Sequence, residues 1–205
     1  MKYSIFGAGQ IGSALARAFA RKSIEVGLTN TRGPKTIESL AREIGPGVRA
    51  QSMQEATQAE IMFLAVPFPA HRDVAQQLNS WNGKIVVDVT NTLDLNAEQR
   101  GQLGGMLSSE VVAKAFAGAR VVKGFNHLPA SQLGAAVPQG QRQVIFLSSN
   151  DPEASATITA LANTLGFAPV ELGRLDQGGT PLHVLGTRPG GLLFQNLLKA
   201  HSPDI

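Results

Sequence analysis

The chain begins with a short apolar strand, a glycine-rich turn and the start of a helix, and this order constrains its fold more than any other feature. Residues 2–6 predict the strand and residues 13–22 predict the helix. The turn between them reads Gly7-Ala8-Gly9-Gln10-Ile11-Gly12. A G-x-G-x-x-G turn in this position is typical of α/β domains that bind dinucleotides.

Each glycine of the turn meets a different steric demand. Gly7 permits the tight turn out of the strand, Gly9 lets a pyrophosphate approach the backbone, and Gly12 lets the helix pack closely on the sheet. The N–H groups at the helix start then face the phosphates, and the helix dipole favours their negative charge. The turn therefore predicts a dinucleotide site. The alternative is an ordinary strand-to-helix turn with incidental glycines.

The end of the second strand indicates which dinucleotide binds. In NAD-specific domains an Asp or Glu at this point accepts hydrogen bonds from the ribose 2′-OH. Here residues 24–28 run into Thr29-Asn30-Thr31-Arg32-Gly33-Pro34-Lys35, which contains no carboxylate. Hydroxyl, amide and guanidinium groups suit a 2′-phosphate, since an arginine binds phosphate through two parallel hydrogen bonds. We therefore expect NADP(H), held by Asn30, Thr31, Arg32 and Lys35. The alternatives are a merely solvated basic loop and dual specificity.

Composition excludes several classes of protein. The chain has 205 residues, of which 43% are hydrophobic, enough for one sizeable core. It has no cysteine, which excludes disulfides and thiolate metal sites and favours a cytoplasmic location. No apolar run is long enough to cross a membrane, and the chain enters its first strand without a signal peptide. The histidines lack metal-ligand spacing, so no metal is expected; they are His71, His127, His183 and His201.

The charge distribution argues against a nucleic-acid partner. The net charge is +3, the basic residues are scattered, and the chain has one Trp and one Tyr on which bases could stack. The basic excess suits a polyanionic cofactor better than a nucleic acid.

Strand and helix signals alternate along most of the chain, which predicts a Rossmann-like α/β fold with a doubly wound, mostly parallel sheet. We expect a single NADP-binding domain over residues 1–205, with a core at 1–172 and a C-terminal extension at 173–205. Further strands are predicted at 48–50, 61–66, 84–89, 120–125, 144–147 and 169–172. Helices are predicted at 36–44, 68–79, 109–117, 129–135, 153–165 and 192–198. Segments 92–108 and 173–191 are expected to be irregular.

Three strands end in polar or proline-rich sequence, at the edge where such sheets bind ligands. Asn91 and Asn126 are candidates for orienting the nicotinamide carboxamide or a substrate carbonyl. His127 is a candidate proton donor to the substrate. The alternative for the two asparagines is that they are turn residues bonded to their own backbone. The alternative for His127 is a polar residue in the wall of the site. No catalytic dyad is apparent. The other cofactor-site candidates at these strand ends are Val66, Pro67, Val89 and Thr90.

Together these segments resemble the NADPH:coenzyme F420 oxidoreductases, the deazaflavin-dependent NADP reductases, and the reductase domain of the STEAP metalloreductases. The likeness extends from residue 1 to about residue 175. The matching stretches are the glycine turn and residues 30–34, 65–67, 84–88, 121–126, 129–130 and 172–175.

The resemblance implies a role for each stretch. Residues 8–11 would hold the pyrophosphate, and Thr31 and Arg32 the 2′-phosphate. Val66 would lie against the adenosine, with residues 89–91 and Asn126 near the nicotinamide. Archaeal members carry a His where this chain has Asn126, whereas here the His comes one residue later. In this family hydride passes directly between stacked rings, which requires orientation more than acid–base groups.

The sequence leaves three functions open. The first is an NADP(H)-dependent oxidoreductase whose acceptor is a flat heteroaromatic ring, such as a coenzyme F420-like deazaflavin or a flavin. The second is a reductase of small imines or hydroxy acids. It is less favoured because residues 173–205 are too few for the helical domain of those enzymes. The third is an NADP(H)-binding redox sensor without turnover.

The predicted last helix suggests a homodimer. Its apolar residues either contact a second copy or pack on the chain's own sheet. They are Leu192, Leu193, Phe194, Leu197 and Leu198.

Overall fold

A single mixed sheet forms the centre of the computed structural model, which describes residues 1–93 and 95–178 in full and the backbone of residues 198–200. The strand order is β3-β2-β1-β4-β5-β6-β7-β8, and β9 pairs with β7. The strands are β1 (Tyr3–Phe6), β2 (Val26–Thr29), β3 (Val48–Gln51), β4 (Ile61–Leu64), β5 (Ile85–Asp88), β6 (Arg120–Gly124), β7 (Gln141–Ser149), β8 (Ala168–Glu171) and β9 (Leu198–Ala200).

Eight helices connect and cover these strands within the described residues. They are α1 (Gln10–Arg21), α2 (Glu38–Ile44), α3 (Met53–Ala56), α4 (His71–Ala75), α5 (Ala97–Gly101), α6 (Ser108–Ala115), α7 (Ala130–Leu133) and α8 (Pro152–Leu165). None of them is long and apolar enough to cross a membrane.

The sheet confirms the predicted doubly wound α/β fold. Strands β3 to β6 are parallel, β7 runs antiparallel to β6, and β8 is parallel to β7. The strand order reverses between β1 and β4, which opens a crevice at their carboxyl ends. The register places the last residues of β2, β1, β4 and β5 at the same edge of the sheet. Phe6 lies opposite both Thr29 and Leu64, and Leu64 lies opposite Asp88.

The core forms two layers because successive strand residues point to opposite faces of the sheet. On β4, Ile61 and Phe63 pack in the layer covered by α1, α2 and α8. Met62 and Leu64 pack in the other layer, under α3, α4 and α6. Burial on both faces explains why the strands read as continuous apolar runs.

A row of aromatic rings runs through the first layer. The centroids of Phe19 and Phe63, of Phe63 and Phe125, and of Phe125 and Phe167 are each 5.6 Å apart, with the rings edge to face. Edge-to-face pairs add stability beyond the burial of their area. The row fixes Phe125, the residue that follows β6, to the centre of the molecule.

Several predicted boundaries were wrong. The predicted helix 36–44 begins at Glu38, after a 3₁₀ turn at Pro34–Thr36. The predicted helix 68–79 is a 3₁₀ turn at Phe68–Ala70 followed by α4, which ends at Ala75. Strand β7 begins at Gln141, before the predicted 144, because its first residues pair with β9.

Two short helices were missed, although each carries a start signal in the sequence. Helix α3 has a capping box formed by Ser52 and Glu55, and α5 has one formed by Asn96 and Gln99. Helix α5 lies within the segment 92–108 that was predicted to be irregular. A polar residue with a Glu or Gln three positions later is the signal that could have identified both.

The predicted last helix, 192–198, lies outside the described residues except for Leu198. That residue begins a strand, so the predicted end of the helix is wrong. The dimer contact proposed through this segment stays a prediction.

Candidate functional site

The glycine turn is held between the ends of β2 and β4. The Gly7 N–H donates to the Thr29 carbonyl oxygen over 2.9 Å, and the backbone φ of Gly7 is +109°. A Cβ on Gly7 would lie 2.2 Å from the Ala65 carbonyl oxygen. Only glycine meets both conditions, so Gly7 sets the turn at the crevice.

The other two glycines differ in their surroundings. A Cβ on Gly12 would lie 1.8 Å from the Gly7 carbonyl oxygen, so α1 can approach the turn only with glycine at this position. A Cβ on Gly9 would meet nothing within 4 Å. Gly9 therefore leaves the surface open above the start of α1.

The N-terminus of α1 is available to an anion. Gly9 caps this helix without a side-chain hydrogen bond, and the first turn contains no acidic residue. Unsatisfied N–H groups and the positive end of the helix dipole favour a phosphate at this position. The predicted pyrophosphate residues 8–11 form this surface.

The loop after β2 is organised by Asn30. Its Oδ1 accepts the Arg32 N–H over 3.1 Å, and its Nδ2 donates to Thr36 Oγ1 over 2.9 Å. Asn30 therefore shapes the loop, while Thr31, Arg32 and Lys35 are exposed. Within the described ranges neither Arg32 nor Lys35 forms an ion pair, so both can reach an anion.

The end of β4 lies against the glycine turn. Val66 is half-buried, with its Cγ1 3.3 Å from where a Cβ on Gly7 would be. Pro67 is exposed and leads into the 3₁₀ turn at Phe68–Ala70. Val66 therefore lies beside the glycine turn, and a contact of Pro67 with the cofactor stays a prediction.

A buried ion pair joins the ends of β5 and β6. Lys123 Nζ lies 3.1 Å from Asp88 Oδ2 and also donates to the Thr90 carbonyl oxygen. Asp88 Oδ1 accepts the Thr90 N–H over 3.0 Å and the Thr90 hydroxyl over 2.7 Å. Burial lowers the pKa of Lys123, and the facing carboxylate of Asp88 opposes this shift.

The two predicted asparagines are bonded to each other. Asn91 Nδ2 donates to the Asn126 carbonyl oxygen over 2.8 Å, and Asn126 Nδ2 donates to Asn91 Oδ1 over 3.1 Å. The sequence predicted that these two residues orient the nicotinamide carboxamide or a substrate carbonyl. In the structure they form a bridge between the strand ends, with Val89 and Thr90 buried beside it, and their contact with a ligand stays a prediction.

Phe125 turns the chain after β6. Its φ is +60°, a left-handed conformation that is uncommon for a bulky residue, and its side chain is completely buried. Such a backbone costs about 1–3 kcal/mol and occurs preferentially at functional sites. The aromatic row holds Phe125 in this conformation, which places Asn126 opposite Asn91.

The sequence placed the strand ends that contain Asp88 and Phe125 beside the nicotinamide but gave no individual role to Lys123, Asp88 or Phe125. A charged residue directly after a run of buried apolar strand residues is the signal that could have identified the first two. No local signal indicates the backbone conformation of Phe125.

His127 is a buried wall residue that faces β7. Its Nε2 lies 3.2 Å from the Val144 carbonyl oxygen, and its ring centroid lies 5.1 Å from that of Phe146. Burial lowers the pKa of His127 to about 4, so the ring is neutral at pH 7. A neutral ring that donates to a backbone carbonyl fits the alternative in which His127 is a polar residue in the wall of the site.

An open cleft of about 780 Å³ adjoins the phosphate surface. It begins at Ala8 and Gly9, is bordered by Pro129 and Ala130 after β6, and continues along α1 to Arg17. A ligand in the crevice could therefore extend into it from the glycine turn.

Comparison with known proteins agrees with this geometry. Residues 2–92 match the family described as NADP oxidoreductase coenzyme F420-dependent. The chain is 29% identical over 176 residues to the metalloreductase STEAP3 of Rattus norvegicus. The aligned region covers 85% of this chain and 34% of that protein.

Among the solved structures that match most of the chain are the following two. The hypothetical protein SMa0349 from Sinorhizobium meliloti is 38% identical, with a TM-score of 0.85, over 98% of this chain and 96% of that one. A candidate F420-dependent NADP reductase from Arthrobacter sp. FB24 is 26% identical, with a TM-score of 0.67, over 86% of each chain.

Over residues 2–92 the chain is therefore similar to the coenzyme F420-dependent NADP oxidoreductases. The predicted resemblance and fold are confirmed, and the similar proteins include a metalloreductase and an NADP reductase. The chain spans about a third of the length of the curated STEAP relatives it matches.

Substitutions at Gly12 and Gly9 should have separable effects. Gly12→Ala should lower the free energy of unfolding by about 1–3 kcal/mol, because the new methyl group overlaps the Gly7 carbonyl. Gly9→Ala should change it by less than about 1 kcal/mol yet weaken NADPH binding, because its methyl group projects where phosphate approaches. Urea unfolding and NADPH titration measure the two effects. A Gly12→Ala protein as stable as wild type would contradict the close contact.

The buried ring of His127 predicts a pH dependence of stability. Because its pKa is lowered from 6.5 to about 4, the unfolded chain binds a proton at this residue that the folded chain does not. Stability should therefore fall as the pH decreases from 6.5 to 4, by at most about 1.4 kcal/mol per pH unit from this group. His127→Gln retains an N–H donor for Val144 and should show a shallower slope in denaturant unfolding. Equal slopes for the two proteins would refute this assignment.

Proposed function

We propose that the protein is an NADPH-dependent reductase that transfers hydride between the nicotinamide and a flat heteroaromatic acceptor, a deazaflavin or a flavin. The observation that carries this proposal is the state of the buried titratable groups on and after β5 and β6. Asp88 and Lys123 neutralise each other, and His127 is neutral and bonded to β7. None of the three is poised to deliver a proton.

That arrangement favours a ring acceptor over a carbonyl or imine. Reduction of a carbonyl or imine requires a proton on oxygen or nitrogen as the hydride arrives, and general acids usually supply it. A deazaflavin or flavin takes hydride on a ring atom and spreads the charge over the ring system. Alignment of the two rings is then the main contribution required of the protein.

The loop after β2 supports NADP(H) over NAD(H). It carries no carboxylate that would repel a 2′-phosphate, and Arg32 and Lys35 are exposed without ion-pair partners in the described ranges. Asn30 fixes the loop that carries them. The reductase from Arthrobacter and the family description, both of which specify NADP, agree with this preference.

The acceptor class is tested by binding followed by turnover. Calorimetric titration with NADPH and NADH should show micromolar binding of NADPH and weaker binding of NADH. NADPH oxidation is then followed at 340 nm with a coenzyme F420-type deazaflavin and with FMN. Oxidation that depends on one of them identifies the acceptor class. Binding without oxidation by either would overturn the reductase assignment and favour a redox sensor.

Charge reversal at Arg32 tests cofactor choice. Arg32→Glu should raise the Kd for NADPH at least tenfold and leave that for NADH unchanged, because a charge-assisted phosphate contact contributes about 1.5–3 kcal/mol. Arg42→Glu, an equal change of charge on α2, is the matched control and should leave both constants near wild type. Equal losses for the two cofactors with Arg32→Glu would show that Arg32 does not contact the 2′-phosphate.

A further inference from the structure

Two charged side chains lie completely buried at the carboxyl edge of the sheet, directly opposite each other on β5 and β6. Asp88 is 0% exposed and Lys123 is 1% exposed. A buried ion pair adds little net stability, and apolar residues of similar volume often replace it without loss. Stability alone therefore does not explain this pair, which lies where parallel sheets of this kind bind their ligands.

The pair is part of a closed network around one turn. Both oxygens of Asp88 are occupied, Oδ2 by Lys123 Nζ and Oδ1 by the Thr90 N–H and hydroxyl. Lys123 Nζ also donates to the Thr90 carbonyl oxygen. The N–H, hydroxyl and carbonyl groups of Thr90 are thus all bonded to the ion pair, which restricts the backbone at this position to one conformation.

The network extends to Asn91, the partly exposed residue that follows Thr90. Asn91 Nδ2 donates to the backbone carbonyl oxygen of Asn126 over 2.8 Å, and Asn126 Nδ2 donates to Asn91 Oδ1 over 3.1 Å. Asn126 in turn follows the strained backbone of Phe125. The ends of β5 and β6 are therefore locked together in one surface.

We propose that Asp88, Lys123 and Thr90 are positioning residues, which fix the Asn91–Asn126 surface as the floor on which the nicotinamide ring lies. The proposal rests on the proposed binding of NADPH at this edge. It does not depend on which acceptor takes the hydride. The three side chains act through Asn91 and Asn126, and they need not touch the cofactor.

Thr90 offers the cleanest test. Thr90→Val removes the hydroxyl donor but keeps the shape of the side chain and the N–H bond to Asp88, so the ion pair remains. Thr90→Ser keeps the hydroxyl and is the rescue variant. Asp88→Asn is unsuitable because it leaves a buried ammonium without its counter-charge. Ser4→Ala is the matched control, since it removes another completely buried hydroxyl, bonded to the Ala56 carbonyl oxygen away from this edge.

The first readout needs no acceptor. The nicotinamide fluorescence of bound NADPH reports how rigidly the ring is held, whereas the Kd also includes the adenosine and phosphate contacts. With Thr90→Val the Kd should change by less than about threefold, while the emission should move towards that of free NADPH. Thr90→Ser and Ser4→Ala should retain the wild-type emission.

The second readout is turnover per bound NADPH, with whichever of FMN or a deazaflavin the wild type uses. Thr90→Val should lower kcat roughly tenfold with little change in KM for NADPH, because small misplacements of reacting rings have large effects on rate. Thr90→Ser should stay within about twofold of wild type. Counting sites by NADPH stoichiometry removes any effect of a smaller folded fraction.

Each outcome decides between the hypotheses. Wild-type emission with Thr90→Val, or equal losses with Thr90→Val and Ser4→Ala, would overturn the positioning role. If wild type binds NADPH but reduces no acceptor, the reductase proposal fails and the emission still decides the positioning role. If wild type does not bind NADPH, both proposals are overturned.

Discussion

The close contact between α1 and the turn after β1 is the constraint on which the nucleotide site depends. The turn is bounded by the Thr29 carbonyl on one side and the Ala65 carbonyl on the other, and α1 lies directly against the Gly7 carbonyl. A side chain at Gly7 or Gly12 would push these elements apart. With glycine at both positions, the uncapped start of α1 is held over the crevice where the strand order reverses.

The opposite half of the site depends on polar contacts within an apolar sheet. Apart from Arg120 at the start of β6, Asp88 and Lys123 are the only charged residues of β5 and β6, and the parallel register places them side by side. Their charges would be costly if separated, so each requires the other. The pair also forms hydrogen bonds with the polar groups of Thr90, which would otherwise be buried without partners. The Asn91–Asn126 hydrogen bonds extend this polar network beyond the ends of β5 and β6.

The two halves of the site have different functions, phosphate binding and alignment of the ring, and this division suits hydride transfer between rings. The glycine turn and the loop after β2 present donors and positive charge, which suit the phosphates. The ends of β5 and β6 present a surface without an available acid or base among Asp88, Lys123 and His127. A site of this kind contributes binding and alignment, and the cofactor supplies the chemistry. The similarity of residues 2–92 to an NADP oxidoreductase family agrees with this division.

The sequence by itself determined the fold class, the glycine turn and the absence of a carboxylate after β2, because these depend on local patterns: apolar runs, glycine spacing and residue type. It also contained the capping boxes of α3 and α5, which were overlooked. Only the tertiary structure decided that Asn91 and Asn126 bond to each other, that Asp88 faces Lys123, that His127 turns towards β7 and that Phe125 adopts a left-handed backbone. Each of these contacts joins residues from separate strands or depends on long-range packing. Their partners are set by the register of the sheet and by the aromatic row, which no local pattern encodes.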